Sequence, residues 1–369
     1  MSAAFANYYA GKRVLVTGHT GFKGAWLSLW LQSLGATVTG VSLPAPTQPN
    51  LHEVVCTAAF AAEHECDLRD GQRLASLVAA AQPDVVFHLA AQAIVRQSHA
   101  EPVETFTTNA TGTAHLLEAV RRAALPCTVI VVTSDKCYEN QGWDYGYRET
   151  DPLGGHDPYS MSKAAAEFVT AAWRRSFFLT DSRLGHLVTV RAGNVIGGGD
   201  YAADRIVPDC VRSLLAGRAI AVRNPAATRP WQHVLDCLSG YLWLGARLAN
   251  AEKSSPLANA FNFGPGLQAN VPVRELVEEL LRHWPGRWEH TPAPGAPQEA
   301  ARLNLAIDKA AALLGWHPTW DFGGAVRATV EWYAARHVAQ RPDLAAFTLQ
   351  QIAAFTVAAR RKGLAWAVS

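Results

Sequence analysis

The stretch VVTSDKCYEN, residues 131 to 140, runs an apolar strand directly into Ser134, Asp135 and Lys136. A hydroxyl, a carboxyl and an amine in succession can orient, donate and remove protons if they face a bound molecule; on a solvated loop they would be no more than an ion pair. In DPYSMSKAAAEF, 25 residues after Ser134, Tyr159 and Lys163 are four apart and share one helical face. A tyrosine hydroxyl titrates near 10, so its use as a base at neutral pH needs a fall of about three units, roughly 4 kcal/mol. A neighbouring ammonium supplies charge of the right sign. Serine, tyrosine and lysine together suit removal of a proton from a hydroxyl while hydride leaves the same carbon.

Such groups need a frame that brings them together. Apolar or β-branched runs at 13–17, 37–43, 84–92, 127–134 and 186–195, with a further one ending in 64–70, read as six strands. Segments of helical period lie between them, among them 22–34, 103–123 and 158–178. Continuous apolar strands alternating with helices predict a parallel sheet covered on both faces. Right-handed crossovers make it an α/β, doubly wound parallel sheet of the Rossmann type. Ser134 then falls at the C-terminal edge of the fifth strand, where such sheets bind ligands. After about residue 193 the pattern loosens: GNVIGGGD, RNPAATRPW and TPAPGAPQ punctuate helix-like stretches at 205–216, 231–249, 272–284 and 322–337. This predicts two interleaved parts: 1–192 with 231–264 as the sheet domain, and 193–230 with 265–369 as a smaller C-terminal substrate-binding domain. The segment 338–369 has helical period and no assigned role.

VTGHTGFKG places Gly18, Gly21 and Gly24 between the first strand and the first helix, in the pattern TGxxGxxG. Glycines there allow a tight turn and a close backbone approach to a pyrophosphate facing a helix N-terminus. Gly18, Thr20, Gly21, Phe22, Lys23 and Gly24 therefore frame a dinucleotide site. No acidic residue ends the second strand to hold a ribose, because the run is VSLPAP with Ser42, Leu43 and Pro44. No arginine stands there to receive a 2′-phosphate either, so NAD is favoured. Asp67, with Leu68 in CDLRD, either accepts from an adenine amino group or, like Asp70, caps the following helix. A bound nicotinamide cation would add to the ammonium of Lys163 in acidifying Tyr159.

TGHTGFKG, DLRD, HLAAQ, TTNATGT, YSMSK and LGWHPTW stand in the order found in extended short-chain dehydrogenases/reductases. The chain resembles that family from residue 13 to about 320. The resemblance implies Ala90 and Ala91 beside the cofactor, Asn109 in a structural role, and Tyr159 and Lys163 in catalysis. Within the family, Ser134-Asp135-Lys136 resembles the triplet of the sugar-nucleotide 4,6-dehydratases, which need two further proton carriers. There Tyr159 would take the proton of the sugar 4-hydroxyl, Lys136 that of carbon 5, and Asp135 would protonate the departing 6-hydroxyl, with no net redox change. TSDKCY, VRAGNVIGGGD and RPWQHV are similar to the versions that act on CDP-glucose. The implied partner is thus a nucleotide sugar, CDP-glucose favoured. Asn194, Arg205 and Arg229 are implied near its diphosphate, and Arg96 and Ser98 near the sugar; His233 is either a ligand contact or a packed core residue. A homodimer is implied through the helices at 103–123 and 158–178. His19 and Lys23 in the glycine turn, Pro44, and PQEAARLNLAIDKA depart from the commoner pattern. The same scaffold also suits a 4-epimerase or a dehydratase for another nucleotide sugar, and more distantly a non-catalytic NAD(P)-sensing module.

Composition sets outer limits. With 369 residues, 49% hydrophobic and a formal charge of +2, the chain fills about two ordinary domains and has no field suited to nucleic acid. Six cysteines form no CxxC pair, and the spacings of His52, Cys56, His64 and Cys66 match no usual zinc site. No metal is expected. MSAAFANYYAGKR lacks a signal-peptide core and no apolar run reaches membrane-spanning length, so a reducing cytoplasm is the expected setting.

Overall fold

A computed structural model describes residues 4–55, 60–292 and 303–368. Six strands follow the expected runs: β1 (Arg13–Thr17), β2 (Thr37–Ser42), β3 (Phe60–Glu65), β4 (Val85–His88), β5 (Thr128–Val132) and β6 (Leu187–Ala192). Seven short ones come later: β7 (Val195–Ile196), β8 (Ile220–Val222), β9 (Thr228–Pro230), β10 (Gln232–His233), β11 (Phe261–Phe263), β12 (Asn270–Pro272) and β13 (Trp288–His290). One sheet runs in the order β11-β6-β5-β4-β1-β2-β3, with every pairing parallel. Strand order reverses between β1 and β4, so a crevice opens outside their C-terminal ends. β4, β5 and β6 are buried along their whole length because helices cover both faces. The remaining strands pair two by two, β7 with β10, β9 with β12 and β8 with β13, and build the second part over that crevice.

The helices are α1 (Phe22–Ser33), α2 (Leu51–Val55), α3 (Gly71–Ala81), α4 (Val95–Ala100), α5 (Pro102–Phe106), α6 (Gly112–Arg122), α7 (Pro158–Trp173), α8 (Ile206–Leu215), α9 (Val234–Leu248), α10 (Val273–His283), α11 (Asp308–Leu314), α12 (Phe322–His337), α13 (Leu344–Arg361) and α14 (Ala365–Val368). The segment expected as one helix over 103–123 is interrupted by a π turn, Thr107–Thr111. The turn carries Asn109, whose amide donates to Gln92 O and Ser162 Oγ and accepts from Gln92 N. A π turn recurs at Arg174–Phe178, after α7. α13 packs on α1, α2 and α12, and α14 on the N-terminal turn Ala4–Asn7. There Phe5 stacks on Trp366 at 5.0 Å. The tail, grouped by sequence with the second part, therefore also covers the sheet layer. Among the described residues no helix is long and apolar enough to cross a membrane.

Two histidines sit in this core as neutral rings. His88 ends β4 between Thr17 Oγ1 (2.7 Å) and Thr113 Oγ1 (3.1 Å). His233 caps α9 by accepting from Leu235 N (3.2 Å), and its ring packs edge-on against Trp26 and Trp320. His233 is thus a packed core residue, and it contributes nothing to the crevice. Burial pulls both down to about 3. The unfolded chain binds protons at these positions from pH about 6.5 downward, whereas the native state refuses them. Stability is therefore complete above that pH and falls towards pH 3, at roughly 1.4 kcal/mol per pH unit per ring. Urea midpoints should drop steadily between pH 6.5 and 5, and His88→Gln should make that slope shallower by about one histidine's share. A pH-independent midpoint would contradict the neutral buried rings.

Candidate active site

An open cleft of about 2520 Å³ crosses the C-terminal ends of the strands, between the sheet and the second part. Ser134, Asp135, Lys136, Tyr159 and Lys163 all line it. β5 delivers the first three. Beyond its last residue, Ser134 remains extended and caps a 3₁₀ turn, Asp135–Cys137. Ser134 Oγ accepts from Lys136 N at 3.2 Å and donates to Asp135 Oδ1 at 3.0 Å. Asp135 is buried, and its Oδ2 has no hydrogen-bond partner. That oxygen faces Gly193, where a Cβ would stand 3.2 Å away. Lys136 Nζ lies 3.8 Å from Asp135 Oδ1, with its side chain one-third exposed. The pair is therefore aimed into the cleft, one member sealed in protein and the other reaching outward.

α7 delivers the tyrosine and the lysine. Asp157 caps it by accepting from Ser160 N at 2.9 Å, and Pro158 starts its first turn. Tyr159 is hydrogen-bonded to Ser134. Lys163 Nζ donates to Val132 O, the end of β5, at 3.3 Å. Burial pushes the Tyr159 phenol up to about 12, against the opposing pull of Ser134 and the Arg205 charge. Burial, helped by the ammonium of Lys23, brings Lys163 down to about 8. The downward pull on the phenol thus comes from Ser134 and Arg205, where sequence pointed to Lys163.

Beneath these groups lies a charged pair that sequence reading passed over. Glu167 is one turn beyond Lys163 and almost fully buried. It receives Arg191 Nε (2.8 Å) and Nη2 (2.8 Å), Thr133 Oγ1 (2.5 Å) and Thr189 Oγ1 (2.7 Å). Arg191 Nη1 continues to Tyr138 Oη (2.7 Å), which donates to Asn262 Oδ1 on β11 (2.8 Å). The available signals were an arginine inside the apolar run HLVTVRAGN and a glutamate four residues after Lys163.

The glycine turn fits a dinucleotide. A Cβ on Gly18 would stand 2.6 Å from Ala90 N, and one on Gly24 2.1 Å from Gly18 O. Bare backbone is required at both positions, and α1 starts immediately after Gly21 with its N–H groups open to an anion. Gly18, Thr20, Gly21, Phe22, Lys23, Gly24, Asp67, Leu68, Ala90 and Ala91 line this end of the cleft. Thr20 Oγ1 bonds to Ser42 Oγ (2.8 Å) and Leu43 O (2.9 Å), closing the turn onto the end of β2. Asp67 is gripped by the backbone and guanidinium of Arg69. The cap of α3 is Asp70, which accepts from Arg73 N at 2.9 Å, so the capping alternative for Asp67 falls away.

At the other end Asn194, Arg205, Arg229 and Arg96 line the cleft. Asn194 Oδ1 is buried without a partner. Arg205 donates to Asp200 (2.8 Å), Arg229 to Thr228 O (2.8 Å), and Arg96 to Asp204 (2.7 Å). Ser98 does not reach the cleft. It is fully buried on the face of α4 that meets α7, where it donates to Val95 O (2.7 Å) and accepts from Tyr159 N (3.1 Å). It holds the tyrosine's backbone in place of a sugar. Asp204, Arg223 and Asn224 also line the cleft; no motif marks them.

Residues 15–329 match the family described as GDP-mannose 4,6 dehydratase. The chain is 45% identical over 334 residues to the CDP-glucose 4,6-dehydratase of Salmonella typhimurium, covering 89% of this chain and 92% of that one. Among solved structures it resembles the dTDP-glucose 4,6-dehydratase of Streptomyces venezuelae, crystallised with NAD (TM-score 0.74, 24% identity, 90% of this chain and 99% of that one). It also resembles the UDP-glucose 4-epimerase of Thermus thermophilus in complex with NAD (TM-score 0.73, 25% identity, 87% and 98%).

Removing one partner of a buried ion pair strands the other charge, at a cost of about 3–5 kcal/mol. Glu167→Gln should therefore lower the stability measured by denaturant titration by about 3 kcal/mol. A loss under about 0.5 kcal/mol, the scale of an ordinary surface substitution, would remove the pair from its structural role.

Proposed function

The chain belongs to the GDP-mannose 4,6 dehydratase family, and we propose that it is an NAD-dependent hydro-lyase that converts CDP-D-glucose to CDP-4-dehydro-6-deoxy-D-glucose. The observation that carries this reading is the Ser134–Asp135–Lys136 turn opening into the same cleft as Tyr159 and Lys163. NAD, which Gly18, Thr20, Gly21, Phe22, Lys23 and Gly24 would hold at their end of the cleft, would supply the hydride acceptor and donor for an oxidation at sugar carbon 4 and a reduction at carbon 6. Tyr159 removes the proton of the 4-hydroxyl, and Ser134 holds both that hydroxyl and the phenol. Lys163 keeps the ring in position from the end of β5. Once carbon 4 is a ketone, the proton on carbon 5 is acidic, and Lys136 takes it as a neutral amine. Asp135, in its acid form, gives a proton to the departing 6-hydroxyl, so that water leaves. Its Oδ2, buried beside Gly193 without a hydrogen-bond partner, is the oxygen available for that transfer.

Arg205 and Arg229 would receive the diphosphate through paired N–H donors, with Asn194 beside it in the cleft. The likeness to the Salmonella enzyme supports the cytidine nucleotide. The sheet part, 1–192 with 231–264, would hold NAD, and the remainder the nucleotide sugar. Two copies would pair through α5, α6 and α7, where Val103, Phe106, Met161 and Phe168 are exposed. The five described cysteines are unpaired, in keeping with a reducing cytoplasm.

Incubation with CDP-glucose and NAD should yield a sugar nucleotide lighter by one water; no such product from any nucleotide hexose would refute the assignment. Lys136→Ala should slow water loss by about 10²–10⁴-fold, the usual worth of a positioned acid or base, while reduced nicotinamide accumulates. A 4-epimerase would keep its rate. Light scattering should give twice the 39.8 kDa chain mass, and Phe106→Asp with Met161→Glu should halve it. A monomeric wild type would dispose of the pairing.

A further inference from the structure

Behind the glycine turn, outside the cleft, three side chains from three elements converge on one point. His19 stands between Gly18 and Thr20, His52 lies on α2, and Glu63 on β3. Nε2 of His19 and Nε2 of His52 each lie 2.9 Å from the same oxygen, Glu63 Oε1. The three ligand atoms fall within 4.8 Å of one another. The imidazoles meet edge to face at 5.1 Å, and the Phe60 ring walls both of them, at 5.2 and 5.7 Å. Gly40 on β2 makes room for the His19 ring, since a Cβ there would come within 2.6 Å of it. None of the three residues lines the cleft.

We propose that His19, His52 and Glu63 form a binding site for a divalent transition metal of the zinc class, which locks the glycine turn to α2 and β3. Two imidazoles and one carboxylate are a ligand set used by three-coordinate protein zinc sites, with water as the fourth ligand. Metal–nitrogen bonds of about 2.0–2.1 Å in a tetrahedron separate neighbouring ligand atoms by about 3.3 Å. The two observed 2.9 Å contacts need to open by a few tenths of an ångström, and the two ring nitrogens lie within 4.8 Å of each other. His52 is on a helix of five residues, the piece best able to give. Nδ1 of both rings is buried without a well-formed hydrogen bond, so Glu63 is the polar anchor of each.

The set, which runs against the expectation of no metal, also differs from the stretch His52, Cys56, His64 and Cys66 whose spacings match no usual zinc site. His64 alternates with Glu63 along β3 and points to the other face. Cys66 packs in the cluster of Leu15, Leu68 and Val86, and Cys56 lies outside the described residues. Binding would hold His19, and with it the backbone of Gly18 and Thr20 that receives the dinucleotide. Metal occupancy should therefore tighten NAD retention.

The test uses the whole protein, stripped by a chelator and titrated with Co²⁺ and then Zn²⁺ alone. About one equivalent of Co²⁺ should bind with a visible d–d spectrum, be displaced by Zn²⁺ and release protons. Glu63→Gln and His52→Ala, checked for an unchanged far-ultraviolet circular dichroism spectrum, should each weaken binding at least about tenfold. No cobalt spectrum and no retained zinc would overturn the site, leaving a His–Glu–His hydrogen-bonded cluster only. Affinity unchanged in both variants would overturn it equally. The NAD dissociation constant, measured with and without Zn²⁺, should fall with metal; no change would refute the coupling. Failure of NAD to bind at all would fault the cofactor reading alone.

Discussion

Glu167 and Arg191, each about 4% exposed or less, tie the helix that carries Tyr159 and Lys163 to the strands beneath it. Glu167 follows Lys163 by four residues and so lies on the same face of α7. It grips Thr133, the residue before Ser134, as well as Thr189 and Arg191 on β6. Arg191 then holds Tyr138, two residues after Lys136. One ion pair thus fixes both pieces of chain that bring reactive groups to the cleft. Burying two charges costs several kcal/mol in desolvation, and the pair is retained because every polar contact around it is satisfied. Its contribution is to register: it sets the height of α7 on the sheet to within a hydrogen bond, and the Ser134–Tyr159 contact depends on that height.

Local periodicity made the fold legible wherever one element was long enough to repeat. β1, α1 and α12 begin and end within a residue of where alternation and helical spacing placed them. The seventh sheet strand, Phe261–Phe263, is three residues long, too short for any period to show. The two- and three-residue strands of the second part were hidden for the same reason. The π turn after Phe106 leaves helical spacing nearly intact in sequence, since it adds a single residue to one turn. Motif spacing located the reactive groups, because a glycine turn and a Tyr-x-x-x-Lys pair are local patterns. Partners distant in sequence were a different matter. Arg96 meets Asp204 across 108 residues, and nothing local announces it. Ser98 faces α7 while its neighbours Gln97 and His99 line the cleft, a distinction of one position along α4 that no sequence pattern marks.

Burial acts on Tyr159 and Lys163 in the same sense: it favours the uncharged form of each, raising the phenol and lowering the amine. A site poised this way does not hold a standing phenolate. It forms one when positive charge is brought beside the ring, and a nicotinamide cation has the right sign.

The same reasoning explains the arginines at the far end. Arg205 already has a carboxylate partner, Asp200, and Arg96, implied near the sugar, has Asp204, so neither charge waits unpaired in the cleft. An incoming diphosphate offers a bidentate acceptor with more negative charge than one carboxylate. On the proposed reading it would compete for the guanidinium of Arg205, which Asp200 already positions. Asp204 sits at φ +61°, a backbone state that costs a non-glycine residue energy, and Arg223 also approaches it at 3.5 Å. The two arginines thus meet a carboxylate held in that state by its loop.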